Sequence, residues 1–272
     1  MLKAMPMPTI CSSSMPCHVG RRRRVCAAVA ALLCLGSAMA RSAELKVLSA
    51  GAYEPVVAAL APEFERQTGH HIILSKDTAG ALVRRIGAGE AFDVAIVTPA
   101  AVAQLAPSGR LASGPGLPLA KVGIGVAVRQ GAPAPDIGSV AAFRRALLGA
   151  RAVAYIDPQA GGSSGVYLAQ LFVTLGVADE VRAKAVLVPG GLVAERLVHG
   201  EADLAIHQVS EILAVPGVTL VGKLPAEIQN YTVYVGVRAN AAHELAAAQA
   251  LMDLLASPRA RALMTQRGME AP

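Results

Sequence analysis

Asp157–Tyr167 reads DPQAGGSSGVY, after the apolar run Ala152–Ile156 and before the amphipathic run Val166–Leu175. That order predicts a strand, a glycine-rich turn and the first turn of a helix. Glycines at 161, 162 and 165 let the backbone bend sharply and come close to a ligand. Ser163 and Ser164 put hydroxyl donors beside the free N–H groups that open a helix. Such a turn can seat an anion without a cationic side chain. Taken alone, the same stretch reads equally well as a plain strand-to-helix connection capped by serine. Two further turns of the same kind, Lys76–Gly80 and Pro189–Gly191, favour the anion seat.

Working outward, strand-like runs alternate with helical ones. Glu44–Ser49 is a first strand, and Pro55 opens a helix that buries Val56, Val57, Leu60 and Phe64 and closes at Gly69. His70–Ser75 and Phe92–Val97 are strands, with a helix after the Asp77–Gly80 turn and another over Ala100–Leu105. A Gly/Pro/Ser loop is expected over Pro107–Pro118, then a strand over Val122–Arg129 and a helix over Ile137–Leu148. Beyond the opening stretch, strands are expected over Lys184–Val188, Leu204–His207, Val218–Val221 and Tyr231–Val237. A helix is expected over Leu192–His199, and the C-terminal third is read as helical. This alternation predicts an α/β protein with mostly parallel sheets. Glycine-bearing turns fall at the carboxyl ends of strands in both halves, the edge at which open parallel sheets bind ligands.

The N-terminal forty residues read as a signal peptide. Arg21–Arg24 supply the positive block, Val25–Leu35 the short apolar stretch and Ala38-Met39-Ala40 the cleavage site. Export to the periplasm follows, and removal of the leader changes the charge. The formal net charge is +6, but five of the 25 basic residues and no acidic one fall in the leader, leaving 20 against 19 acidic ones. The basic balance is therefore no argument for nucleic acid. All four cysteines, Cys11, Cys17, Cys26 and Cys34, fall in the leader, so thiolate chemistry and disulfides are not expected in the rest. No His/Asp/Glu set has ligand spacing, so neither a metal nor another cofactor is expected.

Among single residues His207 is the sharpest. It ends the run Leu204–His207 and either donates to an anion, acts as an acid–base group, or is a histidine satisfied by backbone near a hinge. His70 and His71 alternate across a strand and do not form a pair. Ser163 and Ser164 lack a G-x-S-x-G elbow. Tyr53 and Tyr231 are open to either a ligand or a packing role.

The stretches KVLSAGAYEPV, DTAGALVRRIGAGEAFDVAIV, DPQAGGSSGVYLAQLF and VLVPGGLVAERLVHGEADLAIHQVSEI resemble the periplasmic molybdate-binding-like proteins, a group of type II solute-binding proteins of ABC importers. The resemblance covers nearly all of residues 44–270. It implies two lobes joined by two crossover strands, near Ala120–Ile124 and Asn230–Val233. Lobe 1 would comprise residues 41–121 and 234–272, and lobe 2 residues 122–233. Ligand contacts carry over onto Ala52, Ala79, Ser164, the Gly190–Val193 turn with Gly190 and Gly191, and His207. Ala52 and Ala79 stand where the molybdate pattern has serines, and His207 where it has a tyrosine. Thr78, Ser163 and Ser49 are candidate replacements for the missing hydroxyls. Each hydrogen bond a buried oxyanion lacks costs about 1–3 kcal/mol, so a different anion such as an organic carboxylate is expected.

The function this implies is capture of a small anion between closing lobes for a membrane permease, by a monomer that binds no nucleic acid and has no catalytic residue. The alternative is a periplasmic isomerase of the aconitate isomerase type on the same scaffold, with His207 as the base.

Overall fold

Short apolar runs that alternate with amphipathic ones fold by pairing the strands and laying the helices over the sheet faces. A computed structural model of the protein, describing residues 42–272, has this arrangement. The leader, its cleavage site and the four cysteines lie outside the described residues. In chain order the first elements are β1 (Glu44–Ala50), α1 (Glu54–Thr68), β2 (His71–Asp77), α2 (Ala79–Gly87), β3 (Val94–Val97), α3 (Pro99–Leu105) and β4 (Leu117–Arg129). There follow α4 (Val140–Gly149), β5 (Val153–Ile156), α5 (Ser163–Thr174), α6 (Ala178–Arg182), β6 (Ala185–Val188), α7 (Glu195–Val198), β7 (Leu204–Gln208) and α8 (Val209–Ile212). The last are β8 (Val218–Lys223), β9 (Tyr231–Arg238), α9 (Leu245–Leu255) and α10 (Pro258–Gln266).

The strand order is β2-β1-β3-β9-β4-β7-β5-β6, with β8 beside β4. It contains two parallel trios. In one, β1 runs between β2 and β3, with Val47 opposite both Leu74 and Val94. In the other, β5 runs between β6 and β7, with Ala154 opposite both Val186 and Ala205. The two lobes of a type II binding-protein fold are built on these trios, and β4 and β9 join them, running antiparallel to their neighbours. β4 pairs with β9 as far as Gly123 and with β7 from Ile124 onward. At the changeover the Ile124 N–H donates to Gln229 Oε1 and the Gln229 amide donates to the Ile124 carbonyl, both at 2.9 Å. One side chain thus continues the pairing on the edge that β9 leaves at Gly123, and the Leu224 N–H shares the Ile124 carbonyl at 3.0 Å.

Each trio has its own core. Leu60, Phe64, Leu82 and Ile86 pack against β1 and β3 in the first, and Phe143, Leu147 and Leu168 against β5 and β7 in the second. Burying each such side chain contributes about 1.5–3 kcal/mol. Helix ends follow local chemistry. α1 stops at Gly69, whose φ of 73° ends the helical run, with its N–H returning to the Glu65 carbonyl.

The boundaries depart from the sequence expectation in four places. β4 begins at Leu117, because the tail of the expected loop pairs with Val235 and Gly236 of β9. The expected helix from Leu192 shrinks to the single turn α7: the chain after the left-handed Gly191 is still in a turn up to Ala194, and Gly200, with a φ of 73°, follows the last helical residues. A short helix, α6, stands beside the break read after Gly176. The single turn α8 was not expected at all.

Candidate functional site

The carboxyl ends of β1, β2, β5 and β7 meet at one cavity of about 310 Å³. The first trio contributes Ala50–Ala52 and Lys76–Ala79. The second contributes Ile156, the start of α5, the Gly190–Leu192 turn and the segment from His207 to Glu211, and Tyr234 comes from β9. Ala52, Thr78, Ala79, Ser163, Ser164, Gly190, Gly191 and His207 all line it. Other candidates lie elsewhere. Ser49 is buried and donates to the Ala50 carbonyl. Tyr53 is buried with its hydroxyl 3.8 Å from the Met264 sulfur. Tyr231 is exposed, with Lys121 and Lys223 over its ring at 5.7 and 5.6 Å.

Thr78 caps α2 by accepting the Ala81 N–H at 3.1 Å. Its hydroxyl also donates across the mouth of the cavity to the Ala160 carbonyl, at 2.6 Å. Beside it the Gly80 N–H donates to the Gly161 carbonyl at 3.0 Å. The two backbones are so close there that a Cβ on Gly80 would stand 2.8 Å from the Gly161 Cα. Opposite, α5 starts at Ser163 with no side chain capping it, so its first N–H groups remain free for a ligand. Ser163 Oγ accepts from Gln208 Nε2 at 3.2 Å and from Thr232 Oγ1 at 3.1 Å, which leaves its own hydrogen for a ligand or for Tyr234.

The deepest wall holds a pair that was not anticipated. His207 Nε2 lies 3.2 Å from Glu211 Oε2, and both residues are buried. Loss of water pushes the imidazole down to about 3 and the carboxyl up to about 8. At neutral pH both groups are therefore uncharged. The protonated carboxyl donates to Nε2, which places the imidazole hydrogen on Nδ1. That Nδ1 and the Oε1 of Gln208 are buried without a hydrogen-bond partner. Buried polar atoms are nearly always paired, so both are atoms that a bound molecule would complete. Glu211, Gln208 and Tyr234 escaped the sequence reading as site residues, and Lys76 entered it only as the start of a turn. No helical spacing signals Glu211, because His207 ends strand β7 and the turn α8 that carries Glu211 begins only at Val209.

Lys76 is the basic side chain among the described residues lining the cavity, and its ammonium is 3.4 Å from Glu54. No arginine lines it. Among the described residues no group of three His, Cys, Asp or Glu side chains is placed to hold a metal ion.

The family model for bacterial extracellular solute-binding proteins matches residues 45–270. The chain belongs to that family. This solute-binding protein is 35% identical over 232 residues to an aconitate isomerase of a Pseudomonas species, covering 83% of this chain and 87% of that one. Its fold is similar to the periplasmic molybdate-binding protein of Azotobacter vinelandii, with a TM-score of 0.69 and 23% identity, covering 84% of this chain and 99% of that one. The sulfate-binding protein SubI of Mycobacterium tuberculosis gives a TM-score of 0.66 and 19% identity, covering 84% and 87%. The likeness to the two oxyanion binders bears on the fold of this solute-binding protein. The expected resemblance to molybdate-binding-like proteins is met at that level.

Proposed function

We propose that this protein takes a small organic polycarboxylate into the cavity and catalyses a 1,3-proton shift on it, as an isomerase of the aconitate type. The observation that carries this reading is the buried His207–Glu211 pair, whose two affinities for protons are driven in opposite directions inside the ligand cavity. Such separation marks acid–base sites, and simple capture of an anion does not call for it. The volume of about 310 Å³ supports an organic ligand, because a four-oxygen ion would leave most of it to water.

In trans-aconitate the shift begins at the methylene, whose C–H bond is weakened by the adjacent double bond and carboxylates. His207 takes that proton at Nδ1, which requires the pair in the form with Nε2–H donating to an ionised Glu211. The electron pair of the broken C–H bond becomes the new double bond, one position along. The old double bond's electrons take up a proton on the former alkene carbon, delivered by the protonated His207 Nδ1 after exchange with solvent, which restores the base. Composition is unchanged and no co-reactant is consumed. The free N–H groups at the start of α5 and the Ser164 hydroxyl would hold the carboxylates. The test is to incubate the purified protein with trans-aconitate in deuterated buffer. Formation of the cis isomer with deuterium on carbon is the expected result, and its absence would exclude the reaction.

The second reading is capture without turnover, by a periplasmic monomer that delivers a molybdate-like oxyanion or carboxylate to the permease of an ABC importer. The lack of an arginine at the cavity favours it, since tricarboxylates are commonly held by guanidinium forks. In either reading, lobe 1 (41–121 and 234–272) and lobe 2 (122–233) close on the ligand, with the Thr78–Ala160 and Gly80–Gly161 bonds made only in the closed form. Titration calorimetry against molybdate, tungstate, sulfate and tricarboxylates separates the readings. Tight binding of one anion with no conversion of any would leave capture standing.

A further inference from the structure

Glu211 must be held by something, because a carboxyl on a single-turn helix has several rotamers available. Its Oε2 faces His207 Nε2 at 3.2 Å. Its Oε1 occupies the space where residue 51 would carry a side chain, since a Cβ built on Gly51 would stand 2.6 Å from it. Among the described residues, apart from the adjoining Ala50 and Ala52, the only other atom within 4 Å of that Cβ is the Cδ of the same carboxyl, at 3.6 Å. Gly51 does not have a left-handed φ, so its backbone conformation does not require glycine. The α8 turn that carries Glu211 is tied to the same loop, with Ser210 Oγ donating to the Ala52 carbonyl at 2.9 Å. Three other charged or titratable groups face the carboxyl: Lys76, Glu54 and Tyr234.

We propose that Gly51 is a positioning residue: by lacking a side chain it keeps the Glu211 carboxyl on the His207 imidazole, and so sets whether His207 Nδ1 meets the ligand as a donor or as an acceptor. This gives a glycine of the first lobe a role in the chemistry of the second. It rests on the proton-shift reading for its activity arm alone. A Cβ at position 51 turns Glu211 away. His207 is then freed to choose its tautomer without the carboxyl.

The experiment follows the imidazole nitrogens of His207 by NMR from pH 5 to 10 in the wild-type protein, Gly51→Ala, Glu211→Ala and the double variant. In the wild type, the hydrogen should move from Nδ1 to Nε2 as Glu211 ionises. In Gly51→Ala that change should be lost or shifted by about one pH unit or more. Affinity for trans-aconitate at pH 7 should fall about tenfold, while Gly51→Ala in the Glu211→Ala background should have no further effect, the signature of one residue acting through another. Equal losses in the two backgrounds, or an unchanged tautomer profile in Gly51→Ala, would overturn the proposal. If Gly51→Ala does not fold, the double variant must, because Glu211 is all that the new methyl meets. A double variant that also fails to fold would overturn it equally. Should trans-aconitate neither bind nor react, the proton-shift reading falls while the imidazole titration still decides the role of Gly51.

Discussion

The two walls of the cavity are built alike and equipped differently. Each presents turns from the carboxyl ends of a parallel trio. The first wall offers mainly backbone: Ala52 and Ala79 stand where the molybdate-type pattern has serines, and Thr78 spends its hydroxyl on the facing loop. The second wall concentrates the side-chain chemistry, with Ser163, Ser164, His207, Gln208 and Glu211. The contrast teaches that two walls of like build can differ in equipment: on the proposed reading, one holds the ligand and the other acts on it. Removing side chains from the second wall should therefore matter most.

The largest effect is expected there. If the protein isomerises trans-aconitate, His207→Ala and Glu211→Gln should each lower kcat by about 10²–10⁴-fold, the usual worth of a general acid–base group. Steady-state rates check this, and a loss confined to KM would reduce the second wall to a binding surface.

The same pair governs a change in stability with pH. Burial lowers His207 from 6.5 to about 3 and raises Glu211 from 4.5 to about 8. Between pH 4.5 and 6.5 the unfolded chain charges both groups and the folded chain neither. Proton counts then match, and the pair leaves stability flat. Below 4.5 the unfolded chain binds the additional proton, so stability falls as pH drops toward 3. Above 6.5 the folded chain alone retains the Glu211 proton, so stability falls as pH rises toward 8, by roughly 2 kcal/mol over that interval. Urea melts of the wild type and Glu211→Gln across pH 6–9 test it. The variant should lose the alkaline decline, and an unchanged decline would remove Glu211 as its source.

Next comes closure. Gly80→Ala sets a methyl 2.8 Å from a backbone atom of Gly161, which cannot yield as a side chain can. Ligand affinity should fall about tenfold, equivalent to 1.4 kcal/mol, with thermal stability of the free protein little changed. Calorimetry decides, and full affinity would mean that the two walls need not touch.

The smallest effect sharpens the contrast from the other side. Ala52→Ser with Ala79→Ser returns hydroxyls to the first wall. Each new hydrogen bond is worth about 0.5–1.5 kcal/mol, so molybdate affinity should rise about 2–10-fold per serine. No gain would show that the first wall no longer points donors at a four-oxygen ion.

Much of this contrast could be read from the residues alone. Strand–turn–helix alternation pointed to both trios, and the resemblance to molybdate-binding-like proteins, with Thr78 and Ser163 as candidate hydroxyl replacements, supplied the expected residues that meet at the cavity. Parallel strands buried on both faces leave continuous apolar runs such as Val94–Val97 and Val153–Ile156, which are hard to misread. The rest depended on distance in the fold. Glu211 looks like an ordinary surface acid until the chain packs Gly51 against it. Gly80 and Gly161 are eighty-one positions apart in the chain, and only their contact explains both. The helix expected from Leu192 shrank to one turn because its first residues are taken up in the turn at the cavity, between left-handed glycines at 191 and 200.

The amide of Gln229 has a mechanical consequence. Where β4 passes from one trio to the other, Ile124 is paired by the Gln229 side chain, which has three rotatable bonds, as well as by the Leu224 N–H. The crossover can therefore twist while Gln229 swivels to follow it. If the lobes swing on a ligand, that amide is the contact that can follow β4 without the sheet unzipping.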